Sequence, residues 1–130
     1  MRFLLDTAIF LWGLDSFQNL NRRSQQVLES GGDVFLSAAN SWEIVIKSGI
    51  GKLNLPKTPS KLIPEAMARF ALQSLPVTHA HTLAVSELPN HHKDPFDRLL
   101  IAQARSEGMT FMTADHVCAK YPVEVLWCGK

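Results

Sequence analysis

The sequence has few cysteines and no long apolar run, and each shortage removes a class of protein. Its two cysteines, Cys118 and Cys128, form no Cys-x-x-Cys pair, which argues against a disulfide framework and points to a reduced, cytoplasmic setting. A membrane-spanning helix needs about 20 apolar residues in succession, yet the best stretch, Phe3 to Leu14, is interrupted by Asp6. The same stretch lacks the small-x-small cleavage pattern of a signal peptide, so the expectation is a chain that starts at or near Met1, with no membrane association. Excess charge of one sign is missing too. Thirteen Lys and Arg stand against 12 Asp and Glu, a formal +1, so no overall basic field announces a nucleic acid or a membrane surface. Gly-rich phosphate loops, a Gly-x-Ser-x-Gly elbow and a His-Glu-x-x-His motif are all absent, which removes nucleoside-triphosphate and serine-hydrolase readings and weakens a zinc reading. The histidines of His79-x-His81 and His91-His92 are then weak metal signals, because adjacent loop histidines are more often solvated than coordinating.

What is there suits a globular domain. The chain has 130 residues, 46% of them hydrophobic and 19% charged, with only 7 Gly and 7 Pro, which predicts one domain over residues 1–130 with its own core. Short apolar runs alternate with amphipathic stretches, the pattern of βαβ units around a parallel sheet. Arg2 to Leu5, Asp33 to Ser37, Leu75 to Val77, Met109 to Thr113 and Val123 to Trp127 read as strands. Helical patterns run from Thr7 to Trp12, Asn21 to Ser30, Ser41 to Lys47, Glu65 to Leu72, Thr78 to Leu88 and, briefly, Ala114 to Lys120. The strongest helix opens at Asp94-Pro95, with Asp as N-cap and Pro at the first position, and stops at Gly108. Leu53 to Pro64, with three prolines, reads as a connection. Trp12, Trp42 and Phe96 read as core or subunit contacts.

In an open parallel sheet, functional groups collect beyond the carboxyl ends of the strands. Five acids satisfy that rule: Asp6 and Asp115 directly follow strands, Glu43 lies on the helix after the second strand, and Asp94 and Asp97 open the long helix. Several carboxylates in one cleft cannot all stay ionised without compensation. Oxygen-only ligands suit Mg²⁺ or Mn²⁺, and such ions support phosphodiester hydrolysis. Each acid has a plainer reading as well. Asp6, Asp94 and Asp115 stand where helix caps stand, Asp97 could serve the helix dipole, and Glu43 with Lys47 has the spacing of a helix-surface ion pair. The joint pattern, more than any one acid, carries the catalytic expectation. With those acids committed to a metal, the rest of the chain is basic enough to attract a phosphate backbone.

The motifs in order resemble the PIN-domain nucleases, in particular the toxin subunits of VapC-type toxin-antitoxin pairs. The matching pieces are Leu4-Leu5-Asp6-Thr7 with Leu11-Trp12, Ser37 to Ile44 with Lys47 and Gly51-Lys52-Leu53, Asp94 to Ala104, and Thr113-Ala114-Asp115. The resemblance spans nearly the whole chain. It implies a PIN-like α/β/α sandwich with a central, mostly parallel sheet of four to five strands, and an endoribonuclease dependent on Mg²⁺ or Mn²⁺. Asp6, Glu43, Asp97 and Asp115 match the four family acids; Asp6, Asp97 and Asp115 would hold the ion, with Glu43 completing or orienting its water shell. Asp94 stands as an additional acid, either ligand or cap. Thr7, Ser37 and Thr113 are similar to the small hydroxyl residues that support such a site. Lys47, Lys93 and Arg98 are candidate phosphate contacts. The resemblance also implies a homodimer and a cognate antitoxin protein whose tail enters the acidic groove, with RNA as substrate. Two rival readings differ in class. One is a PIN-like domain that binds RNA or protein without cutting, and the other is a phosphoacceptor receiver domain, which would want paired acids after its first strand where Asp6 stands alone.

Overall fold

A computed structural model describes residues 1–130. Five strands form one sheet: β1 (Phe3–Leu5), β2 (Val34–Ser37), β3 (Gln73–Leu75), β4 (Thr110–Thr113) and β5 (Val125–Trp127). Their order is β3-β2-β1-β4-β5 and every neighbouring pair is parallel. Six helices connect and cover them: α1 (Thr7–Asp15), α2 (Arg22–Glu29), α3 (Ala38–Gly49), α4 (Pro59–Arg69), α5 (His79–Ala84) and α6 (Pro95–Glu107).

The strand residues divide between two cores, as the period-2 alternation of a strand requires. Phe3 and Leu5 join Ile9, Phe10, Leu28, Ile44 and Leu62 on one side, whereas Leu4 joins Leu100, Ile101 and Phe111 on the other. Helices α1, α2 and α4 therefore cover one face and α6 the other, giving the three-layer α/β/α sandwich expected from the motifs. No helix is long and apolar enough to cross a membrane.

Strand order creates the site. The chain leaves central β1 toward β2 and β3, then crosses back to lay β4 and β5 on the opposite side. Connections after β1 and β4 thus depart in different directions, opening a crevice at the carboxyl ends of these two neighbours. Their backbones are locked there, with Asp6 N–H donating to Met112 O at 2.9 Å.

Several boundaries depart from the sequence expectations. Helix α4 starts at Pro59, so the supposed connection through Pro64 is already helical. Burial of Leu62, Ile63 and Ala66 supports this turn, and tertiary packing outweighs the unfavourable propensity of Pro64. Strand β3 lies two residues earlier than expected because Gln73 and Ser74, although exposed, pair with Phe35 and Leu36. The stretch Ala114 to Lys120 contains only a 3₁₀ turn at Cys118–Lys120, and α5 passes into another at Val85–Glu87.

Candidate active site

Four acids predicted from separate segments, Asp6, Glu43, Asp97 and Asp115, line one cavity of about 640 Å³, and Asp94 joins them. Asp6 follows β1 and is 5% exposed. Its Oδ2 accepts a hydrogen bond of 2.7 Å from Thr113 Oγ1. The same Thr113 oxygen accepts the backbone N–H of Asp115 at 3.1 Å, so one hydroxyl at the end of β4 joins two of the acids. Asp115 itself is exposed, and its Oδ1 accepts from Val117 N–H at 2.9 Å.

Glu43 is carried by α3. That helix forms despite β-branched Ile44, Val45 and Ile46 because its start is doubly capped and Ile44 is fully buried. Ser37 Oγ accepts from Ala39 N–H at 2.9 Å, while Asn40 Oδ1 accepts from Ser37 N–H at 2.8 Å. The Asn40 amide also donates to Leu5 O at 3.1 Å and Thr7 Oγ1 at 2.9 Å. It thereby ties the start of α3 to the turn that carries Asp6. Asn40 was not singled out from sequence, although its place three residues after Ser37 is capping-box spacing. Gln103 is a second omission: it is buried on α6 and its Oε1 accepts from Ser37 Oγ at 2.6 Å. Of the three predicted supporting hydroxyls, only Thr113 hydrogen-bonds an acid; Thr7 Oγ1 accepts from the Asn40 amide, and Ser37 caps α3 and donates to Gln103.

Glu43 is 4% exposed and pairs with Lys47 one turn later through Oε2. Its Oε1 is buried and has no hydrogen-bond partner. A buried carboxylate oxygen without a donor is costly, and native structures seldom leave one unless a ligand supplies the missing interaction. The plain ion-pair reading of Glu43 accounts for only half of its carboxylate.

On α6, Asp94 Oδ1 accepts from Phe96 and Asp97 N–H at 2.9 and 3.0 Å, so it caps the helix as expected. Asp97, one turn in, meets His92 Nε2 through Oδ2 at 3.1 Å. The donor atoms of His92, Asp97 and Cys118 all lie within 4.8 Å of one another. His92 is therefore not a solvated loop histidine. Of the aromatic residues read as core or subunit contacts, Trp12 packs against the core and also lines the cavity, whereas Trp42 is 59% exposed with its ring edge-on to Phe96 at 5.3 Å.

The electrostatics follow from burial and convergence. Desolvation, aided by the charge of Asp97, pushes the Asp6 carboxyl up to about 7, against the opposing Thr113 hydrogen bond. Burial also raises Asp97; the His92 contact opposes that rise, while Asp94 and Glu43 add to it. The hydrogen bond to Glu43 pushes Lys47 above its ordinary value. Asp6 and Asp97 favour protons because burial, reinforced by neighbouring carboxylates, disfavours their charged forms, a condition that a divalent cation relieves. The donor set is oxygen-rich, and together with the unpartnered Glu43 Oε1 it fits Mg²⁺ or Mn²⁺.

The predicted phosphate contacts separate. Lys47 lines the cavity, as does Lys52, which the motif reading included without a role. Lys93 is exposed outside the cavity lining. Arg98 turns away to Pro89 O at 2.8 Å and the Tyr121 hydroxyl at 3.1 Å.

Comparison with known proteins gives a consistent family signal. A model of the PIN domain matches residues 3–124. Ribonuclease VapC16 of Mycobacterium tuberculosis (strain ATCC 25618 / H37Rv) is 36% identical over 63 residues, covering 48% of this chain and 45% of that protein. The alignment thus spans less than half of either protein. Among solved structures, VapBC2 from Rickettsia felis bound to a DNA fragment from their promoter superimposes with a TM-score of 0.75 at 16% identity, covering 98% of this chain and 99% of that one. A toxin-antitoxin complex from Klebsiella pneumoniae gives 0.62 at 15% identity, covering 95% and 94%. Both structural matches share the fold.

Proposed function

Because the chain belongs to the PIN-domain family, we propose that it is a single-domain, metal-dependent endoribonuclease and the toxin of a toxin-antitoxin pair. The observation that carries this reading is the convergence of Asp6, Glu43, Asp97 and Asp115 on one cavity, with the Glu43 Oε1 oxygen buried and unpartnered. The partial match to a protein named a ribonuclease supports RNA as substrate, and the folds shared with toxin-antitoxin complexes support a cognate antitoxin.

In this mechanism Asp6, Asp97 and Asp115 would hold Mg²⁺ or Mn²⁺. The bound cation supplies charge shielding at the phosphate and lowers the pKa of water. Glu43 orients the attacking water through the oxygen not committed to Lys47. Thr113 keeps Asp6 and the Asp115 backbone in register, so the acids need little reorganisation when the ion and substrate arrive. Lys47 and Lys52 on the cavity wall attract the RNA backbone, whereas Arg98 serves the fold. Exposed Trp42 and Val45 on α3 offer an apolar surface for a homodimer. Light scattering after size-exclusion chromatography is expected to give twice the mass of one chain. Free, buried Cys118 and Cys128 suit the reducing cytoplasm.

The test is incubation of purified protein with a mixed small-RNA pool and a DNA pool, with Mg²⁺, Mn²⁺ or chelator. Metal-dependent RNA cleavage is expected, and Asp97→Asn should lower it at least about 100-fold while circular dichroism stays unchanged. Undiminished cutting by the variant would remove Asp97 from the mechanism. Absence of both metal binding and cutting by the parent protein would favour a non-catalytic binding domain.

A further inference from the structure

The polar loop before α6 brings His92 against the acidic cavity. Its ring joins two partners: Nε2 lies 3.1 Å from Asp97 Oδ2, and Nδ1 lies 2.7 Å from the Tyr121 hydroxyl. Either ring nitrogen of a neutral imidazole can carry the hydrogen, but the other contacts of Tyr121 decide between them. A phenol has one hydrogen to donate and two lone pairs with which to accept. The backbone N–H of His92 donates to the Tyr121 oxygen at 3.2 Å, and Arg98 Nη1 donates to it at 3.1 Å. Both approaches are donors that cannot accept. The hydroxyl hydrogen therefore goes to His92 Nδ1, making that nitrogen the acceptor and leaving the ring hydrogen on Nε2, directed at Asp97.

We propose that His92 is a positioning residue for Asp97, set by Tyr121 in the Nε2–H tautomer so that it holds Oδ2 and fixes the orientation of an acid that lines the cavity. This inference rests on the metal-dependent reading above. A neutral N–H restrains the carboxylate without placing a competing positive charge beside the metal site. The brace is anchored at both ends. Tyr121 is only 3% exposed, and Arg98 ties the same loop through Pro89 O at 2.8 Å and the 3₁₀ turn before it through Val85 O at 3.4 Å. The segment after β4 thus reaches back to orient an acid on α6, as outer contacts commonly orient metal ligands.

Two measurements test the proposal. Long-range ¹H–¹⁵N correlation on the metal-free protein should show the Nε2–H pattern for His92, and Tyr121→Phe should shift it toward a tautomer mixture. Calorimetric titration with Mn²⁺ should show His92→Ala weakening Kd roughly 10- to 100-fold. His92→Gln, whose amide N–H can also reach Asp97, should recover most of the loss. Circular dichroism separates these effects from unfolding. If His92→Ala does not fold, the parent tautomer and the Tyr121→Phe titration decide instead. An Nδ1–H pattern in the parent overturns the proposal. So does parent-like Mn²⁺ affinity in folded His92→Ala, or an unchanged tautomer and affinity in Tyr121→Phe. A parent protein that binds no Mn²⁺ overturns the metal reading itself, an outcome distinct from a His92 variant that matches a Mn²⁺-binding parent.

Discussion

At Asp6, burial and neighbouring charge act in the same direction. The folded protein holds its proton to about pH 7, whereas the unfolded chain releases it near 3.8. Between those values the folded state binds more protons, so rising pH favours unfolding. The Asp6 contribution is fully present below the unfolded value and is lost as pH rises through 7. Chemical denaturation of metal-free protein from pH 4 to 8 is expected to show this fall, on the order of 2 to 4 kcal/mol from Asp6. Asp6→Asn should flatten the profile and be the more stable protein at pH 8, while losing cleavage. A parent profile with the same slope as the variant would show that Asp6 is already ionised. Asp6 was legible in the sequence because a charged residue directly after Phe3-Leu4-Leu5 needs a reason. His92 was not, since its contacts come from Asp97 one turn along α6 and from Tyr121 beyond β4.

Among the elements, α6 shows how far local chemistry reaches. Asp94, Pro95 and Gly108 mark its ends in sequence, and the structure uses all three, with Gly108 at φ 66° in the left-handed C-cap that glycine adopts readily. Asp94→Asn keeps a good cap and should leave thermal stability nearly unchanged, whereas Asp94→Ala should cost about 1 kcal/mol. Cleavage by Asp94→Asn should fall less than by Asp97→Asn, because one Asp94 oxygen is occupied by backbone N–H groups. Thermal melts and RNA cleavage on the three variants check this ordering. Helix α4 and strand β3 were less legible. Prolines suggested a connection where Leu62, Ile63 and Ala66 found a core, and polar Gln73 and Ser74 gave no strand pattern because pairing with β2 requires no apolar side chain there.

For the whole molecule, cation binding and folding are linked. A ligand that binds only the folded state stabilises it by about 2.7 kcal/mol at 100 times its Kd. Mn²⁺ at that excess should therefore raise the unfolding midpoint of the parent, while Asp97→Asn should show little rise. Differential scanning calorimetry with and without chelator makes the comparison, and equal shifts would place the stabilising ion away from Asp97. The sequence by itself determined the alternation of strands and helices, the order of the acidic motifs and the caps of α6, because these depend on neighbouring residues. Tertiary structure alone decided that β1 and β4 lie side by side with a crevice at their ends, that Thr113 joins Asp6 to Asp115, and that Asn40 and Gln103 brace the start of α3. Those contacts join residues far apart in the chain, and no local pattern records which distant partner will satisfy a buried polar group once the sheet has closed around it.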